Sequence, residues 1–249
     1  MSSQEAEFLV ACELHDPVRL RAVLEGGFAA DARLGGRSAL EALLETYTRS
    51  ERLPDCVRLL LARGARFAEP ALQHVLLDDA EGLRASLGAD SVRRLRVELP
   101  SAFTPLRGAS LLHVAAEYGH AAAARALLEL GADPDARAGL DAHGLGGQTP
   151  LFHVVNSHAN RSLPVLRLLL AAGARVDLRV DGLTWGEGQD WETTLFDLSP
   201  LSYAQFGLLP QMHRDERGVD EVVRLLLAAG GRSVPPLRNV PNRYLRPRA

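Results

Sequence analysis

Lysine and isoleucine are both absent from this 249-residue chain, so every one of its 28 basic side chains is an arginine. Without lysine there is no Schiff-base amine and no Gly-Lys-Ser/Thr phosphate loop, which excludes two large classes of chemistry. Using Arg for Lys and Leu or Val for Ile throughout reads as the codon bias of a GC-rich, bacterial genome. Cysteine is scarce: Cys12 and Cys56 are the only two, each inside an expected helix. They form no disulfide framework, which fits a reducing compartment. No apolar run approaches the roughly 18 residues of a membrane span. The first residues, Met1 to Glu7, are acidic where a secretory signal is basic, so the expected location is cytoplasmic. Charge of one sign is also missing: 31 acidic residues against 28 basic ones leave −3, with 47% apolar residues. Such a balance suits neither a disordered chain nor a protein built to bind nucleic acid.

What the chain does have is self-similarity. Ser110-Leu-Leu-His-Val-Ala-Ala-Glu-Tyr-Gly-His120 leads to Arg125-Ala-Leu-Leu-Glu-Leu-Gly-Ala-Asp-Pro-Asp135. Thr149-Pro-Leu-Phe-His-Val-Val155 leads to Leu166-Arg-Leu-Leu-Leu-Ala-Ala-Gly-Ala174, and Ser199-Pro-Leu-Ser-Tyr-Ala-Gln205 to Val222-Val-Arg-Leu-Leu-Leu-Ala-Ala-Gly230. Upstream, Ser38 to Leu44 precedes Cys56 to Ala65, and weaker copies begin at Ala6 and Pro70. Thr149 and Ser199 each place a capping oxygen before a proline at the first helical position. Gly119 and Gly131 stand where a helix must stop in a left-handed conformation. Leu59-Leu60-Leu61, Leu168-Leu169-Leu170 and Leu225-Leu226-Leu227 supply an apolar face that one helix pair cannot bury alone.

These motifs resemble the ankyrin repeat family, whose unit opens on T-P-L-H-x-A with a period near 33 residues. The resemblance covers roughly residues 4–231 and implies an all-α fold, an ankyrin-repeat α-solenoid of about six helix-pair repeats with long inserted loops. The openings at Ala6, Ser38, Pro70, Ser110, Thr149 and Ser199 are spaced by 32, 32, 40, 39 and 50 residues. Insertions are therefore expected between paired helices at 47–54, 157–163 and 207–218, and in loops between repeats at 92–108, 138–147 and 180–199. Two units follow: a repeat domain over residues 1–231, and a Pro/Arg-rich tail over 232–249 that is expected to cap the last repeat. The alternative for the tail is a free segment that docks on a partner or an acidic surface.

Candidate chemistry is thin. The resemblance makes His113 and His120 internal pegs, and His74, His153 and Tyr203 share one register that reads as packing. Asp133, Asp135, Asp141 and His143 have metal-compatible side chains but lack a ligand motif, and Gly144 to Gly147 follows no buried strand. Cys12 and Cys56 read as small buried hydrophobes, with no strained nucleophile turn nearby. No catalytic residue, cofactor or metal is expected.

Binding signals are stronger. Only 13 aromatics occur, and five fall between Trp185 and Phe206. Trp185 and Trp191 share one Gly-rich inserted loop, either as an exposed anchor or as local core. The resemblance implies a concave surface at the two residues after each Ala-Ala pair: Glu13 and Leu14, Glu45 and Thr46, Leu77 and Asp78, Glu117 and Tyr118, Asn156 and Ser157, then Phe206. The expected partner-binding residues are Glu117, Tyr118, Asn156, Trp185, Trp191 and Phe206. The expected function is that of a monomeric, non-catalytic scaffold or adaptor for an unknown protein partner, with no nucleic acid or membrane. A stoichiometric inhibitor of a toxin or enzyme, and an enzyme or ligand sensor using the 133–143 loop, are the alternatives.

Overall fold

The computed structural model describes residues 2–101, 104–188, 190, 192–205, 216–232 and 240–241. Its helices come in consecutive packed pairs. Helices α1 (Ser3–Glu13) and α2 (Pro17–Glu25) form the first, α3 (Ala39–Leu44) and α4 (Leu53–Ala62) the second, α5 (Ala71–Leu76) and α6 (Ala80–Ser86) the third. A short extra helix, α7 (Ala89–Arg94), precedes the pair α8 (Leu111–Tyr118) and α9 (Ala121–Glu129). Helices α10 (Pro150–Val154) and α11 (Leu163–Ala171), then α12 (Pro200–Gln205) and α13 (Glu216–Ala228), complete the helical order.

The leucine triplets explain how the pairs stack. In α4, Leu53, Cys56, Val57 and Leu60 repeat at helical spacing and are buried, while Leu59 and Leu61 on either side are only partly covered. Leu169 and Leu226 repeat the role of Leu60, each with no exposed surface. Second helices touch across pairs, α2 on α4, α6 on α9 and α9 on α11. One apolar core therefore runs the length of the stack.

The all-α expectation is overturned. Of the described residues, 49% are helical and 12% are strand in three small sheets, so a six-repeat all-α solenoid is not shown. The strands over residues 97–109 and 180–198 occupy insertions expected as loops. Strands β1 (Arg33–Leu34) and β2 (Arg37–Ser38) pair across Gly35-Gly36, both at positive φ, the backbone that a two-residue hairpin turn needs. Strands β3 (Val97–Leu99) and β4 (Leu106–Ala109) pair within the 92–108 insertion. Strands β5 (Val180–Trp185) and β6 (Thr193–Leu198) form a hairpin with five paired positions, where Thr184 and Thr194 share a hydroxyl contact at 3.1 Å. The β-branched and aromatic residues of these two runs favour a pleated surface over a free loop. Strand β7 (Val240–Pro241) adds to β6 at Thr193 and Thr194. The rest of the tail, expected as a cap, lies outside the described residues.

Two expected caps behave differently. Ser199 Oγ accepts the backbone N–H of Ser202 at 3.1 Å. Among the described residues, Thr149 starts α10 without any side-chain capping bond, and its buried Oγ1 has no hydrogen-bond partner. Ser199→Ala should therefore cost about 1 kcal/mol, whereas Thr149→Val should be neutral or stabilising by up to about 1 kcal/mol. Urea unfolding of the two variants checks this, and equal losses would contradict it.

Candidate functional site

The expected surface column splits in two. Its later members Glu117, Tyr118 and Asn156 are covered. Every residue of α8 is buried, because α5, α9, α10 and β4 all pack against it. Glu117 and Tyr118 therefore face inward. Arg49, from the loop between α3 and α4, donates through Nη2 to Glu117 Oε1 at 3.1 Å, and His153 Nδ1 donates to Glu117 Oε2 at 2.9 Å. The guanidinium carbon of Arg49 lies 4.9 Å from the Tyr118 ring centroid, and Tyr118 donates its hydroxyl to Leu44 O at 3.0 Å. Asn156 is likewise buried and donates to Tyr203 O at 3.0 Å.

Electrostatics follow from that packing. Burial by itself raises the Glu117 carboxyl, but the His153 hydrogen bond and the Arg49 charge outweigh it and leave the group below the usual carboxylate range. The carboxylate thus stays ionised among three donors, Ser101 Oγ being the third at 3.4 Å from Oε1. His113 fits its expected peg role: Nε2 donates to Gln148 O at 2.9 Å, and Nδ1 accepts from Ser110 N at 3.1 Å. Burial, then the charge of neighbouring His153, pushes His113 down to about 3. His15 lies between Ser50 Oγ at 3.0 Å and Thr46 Oγ1 at 3.2 Å, and burial followed by the charge of Arg49 lowers it to about 4. His120 is also lowered to about 4 by burial and Arg161, and its Nε2 has no hydrogen-bond partner among the described residues.

The remaining histidines and acids read as local locks. His74 Nδ1 and Asp79 Oδ2 are 2.8 Å apart over the first turn of α6, while Asp79 Oδ1 caps Gly82 N at 2.9 Å. Gly82 is required there, since a Cβ would lie 2.0 Å from the His74 ring. Tyr203 and Thr104 share a hydroxyl contact at 3.0 Å. In the 133–143 loop, Asp133 accepts from Asp135 N, Asp135 from Arg175 N, and Asp141 from His143 N. Among the described residues, no three metal-ligating side chains converge. Cys12 and Cys56 are buried free thiols; burial pushes Cys56 up to about 11 and Cys12 higher still.

Among the early members of the column, Glu13 and Leu14 are exposed, Glu45, Leu77 and Asp78 half-buried, and Thr46 buried. Glu5, Leu9 and Glu13 recur every fourth residue of α1 and so share one stripe, opposite Ala42 and Glu45 of α3. One hollow of about 360 Å³ is lined by Leu9, Val10, Glu13, Ala42, Glu45, Thr46 and Tyr47. The next, about 450 Å³, replaces its far wall with Glu5, Leu34, Gly35 and Arg37. A third, about 390 Å³, runs from Glu41 and Glu45 to the β3–β4 hairpin (Glu98 to Ser101, Pro105 to Arg107) and Glu187. Glu45 lines all three, which makes them one groove. Arg107 Nη2 donates to Glu187 Oε2 at 2.8 Å and ties β4 to the segment just after β5.

Of the expected partner-binding residues, Trp185 is half-buried at the end of β5, two positions before Glu187. Trp191 and Phe206 lie outside the described residues. The periodic Glu5, Leu9 and Glu13 stripe was a signal available in the sequence. Arg49 and Glu98 carried none, because each sits in an irregular insertion.

Residues 83–181 match the family model of ankyrin repeats (3 copies). A search of curated proteins finds no match.

Two outcomes follow from the buried groups. An unfolded histidine takes up a proton near 6.5, whereas folded His15, His113 and His120 do so only near 4, 3 and 4. The unfolded state thus binds more protons between those values. Stability is full above pH 6.5 and falls toward pH 4, by up to about 1.4 kcal/mol per pH unit for each histidine. Loss of Glu117 ionisation, at lower pH, acts in the same direction. Urea midpoints at pH 7, 6 and 5 measure this, and a flat profile would contradict it. Separately, Arg49→Met should cost about 3–5 kcal/mol by stranding a buried carboxylate. Combined with Glu117→Gln, the loss should fall short of additivity by about 1–3 kcal/mol. Strict additivity would show that the pair is not coupled.

Proposed function

We propose that this chain, an ankyrin repeat protein over residues 83–181, is a non-catalytic adaptor that seats a protein partner in the groove between α1, α3 and the β3–β4 hairpin. Ankyrin repeats generally mediate protein–protein interaction, and fold alone does not choose the surface. The observation that carries the choice is the single groove of three hollows sharing Glu45, walled by exposed Val10 and Tyr47. Concave, partly apolar surface with a charged rim is what a partner's side chains fill. Support for a non-catalytic role comes from the polar interior: His15, His74, His113 and His153 are spent on contacts between helices and loops.

Hairpins β3–β4 and β5–β6 flank this surface, with Arg107 and Glu187 joining them. Trp185 belongs to the same adaptor surface in this reading. Photo-crosslinking tests the assignment. A benzophenone side chain at Tyr47 should capture a partner from the source cell, and one at Arg167, on exposed α11 surface, should not. Ala42→Arg should abolish the Tyr47 adduct by filling the first two hollows. Capture only from position 167 would overturn the assignment.

A further inference from the structure

The charge of the groove narrows what fits it. Six carboxylates line it: Glu5, Glu13, Glu41, Glu45, Glu98 and Glu187. Against them stand only Arg37 and Arg107. The groove therefore holds more formal negative charge than the −3 of the whole chain. Those charges are not equally engaged. Glu45 pairs with Arg37, Glu187 pairs with Arg107, and Glu5 and Glu41 close the capping boxes of Ser2 and Ser38. Glu13 and Glu98 are exposed and have no hydrogen-bond or ion-pair partner among the described residues.

Their positions differ in a useful way. Glu13 lines the hollow walled by Leu9, Val10, Ala42 and Tyr47, which is mainly apolar. Glu98 lines the third hollow with Glu41, Glu45 and Glu187, four carboxylates against the single cation Arg107, among Leu99, Pro100, Pro105 and Leu106. Between them the groove is continuous through Glu45.

Resting on the adaptor reading above, we infer that the groove's occupant is an extended basic segment of another protein, with an apolar side chain in the Leu9/Val10/Ala42/Tyr47 hollow and arginine or lysine side chains against Glu13 and Glu98. Charge complementarity selects such a segment from other chains and speeds its encounter. The apolar hollow sets its polarity along the groove, because an apolar side chain placed among Glu41, Glu98 and Glu187 would strip water from carboxylates without replacing it.

The test titrates the full chain with a fluorescein-labelled peptide of about ten residues, roughly 33 Å when extended, carrying leucine and tyrosine at one end and arginines at the other. Anisotropy should report saturable binding that weakens at least about tenfold between low and high salt. Glu13→Gln and Glu98→Gln should each weaken it by about three- to tenfold, and so should replacing the leucine and tyrosine by glycine. Both glutamates are exposed and unpaired, so their neutralisation leaves the fold intact, as circular dichroism would verify. Equal binding of a peptide with glutamate in place of arginine, or no effect of either substitution, overturns the inference. Binding seen only after residues 242–249 are deleted also overturns it, since the chain's own arginine-bearing end would then be the occupant. Absence of peptide binding with a Tyr47 crosslink retained rejects the basic segment alone. Absence of both rejects the adaptor surface as well.

Discussion

Burying Glu117 sets the terms for much of the molecule. An ionised carboxylate removed from water costs several kcal/mol unless donors replace its hydration, and here Arg49 and His153 both do so. Arg49 comes from 68 positions upstream, so the contact holds the loop after α3 against α8. The same loop is held from the other side by His15 through Thr46 and Ser50. Tyr118 completes the closure by reaching Leu44. Four helices, α1, α3, α8 and α10, are thereby tied through one loop that has no regular structure of its own.

That closure decides which surface remains open. In the first two helix pairs, Glu13 and Glu45 line a groove. At α8 and α10 the equivalent positions, Glu117, Tyr118 and Asn156, are buried. The difference comes from the insertions. At α8 and α10, the 47–54 loop and the chain around Tyr203 cover this face. The β3–β4 hairpin instead extends the open part sideways, adding Glu98 and Arg107. Stacking supplies the scaffold, and the inserted segments choose where a partner can approach.

Much of the helical order was legible beforehand. The leucine triplets, with Leu60, Leu169 and Leu226 at their centres, announce buried stripes, and Gly119 ends α8 in the left-handed conformation its position implies. His113 is a peg in the structure as in the reading of its motif. The strands were harder to see. Val180 to Trp185 was read as loop because it falls in the insertion between the Thr149 and Ser199 openings, yet pairing with Thr193 to Leu198 satisfies its backbone. Capping followed the same divide: Ser199 caps as its Ser-Pro motif suggests, while Thr149, with the same kind of motif, does not.

The sequence by itself determined the repeating helix pairs, since local periodicity, caps and glycines act over a few residues and need no distant partner. It also determined the chemistry of the α1 stripe, where Glu5, Leu9 and Glu13 share a face by helical geometry alone. Only the tertiary structure decided which faces stay wet. Exposure depends on what packs above a residue, and for Glu117 that is an arginine from a loop without periodicity. The acidic groove exists for the same reason: Glu13, Glu45 and Glu98 are distant along the chain and adjoin one another only after the pairs stack.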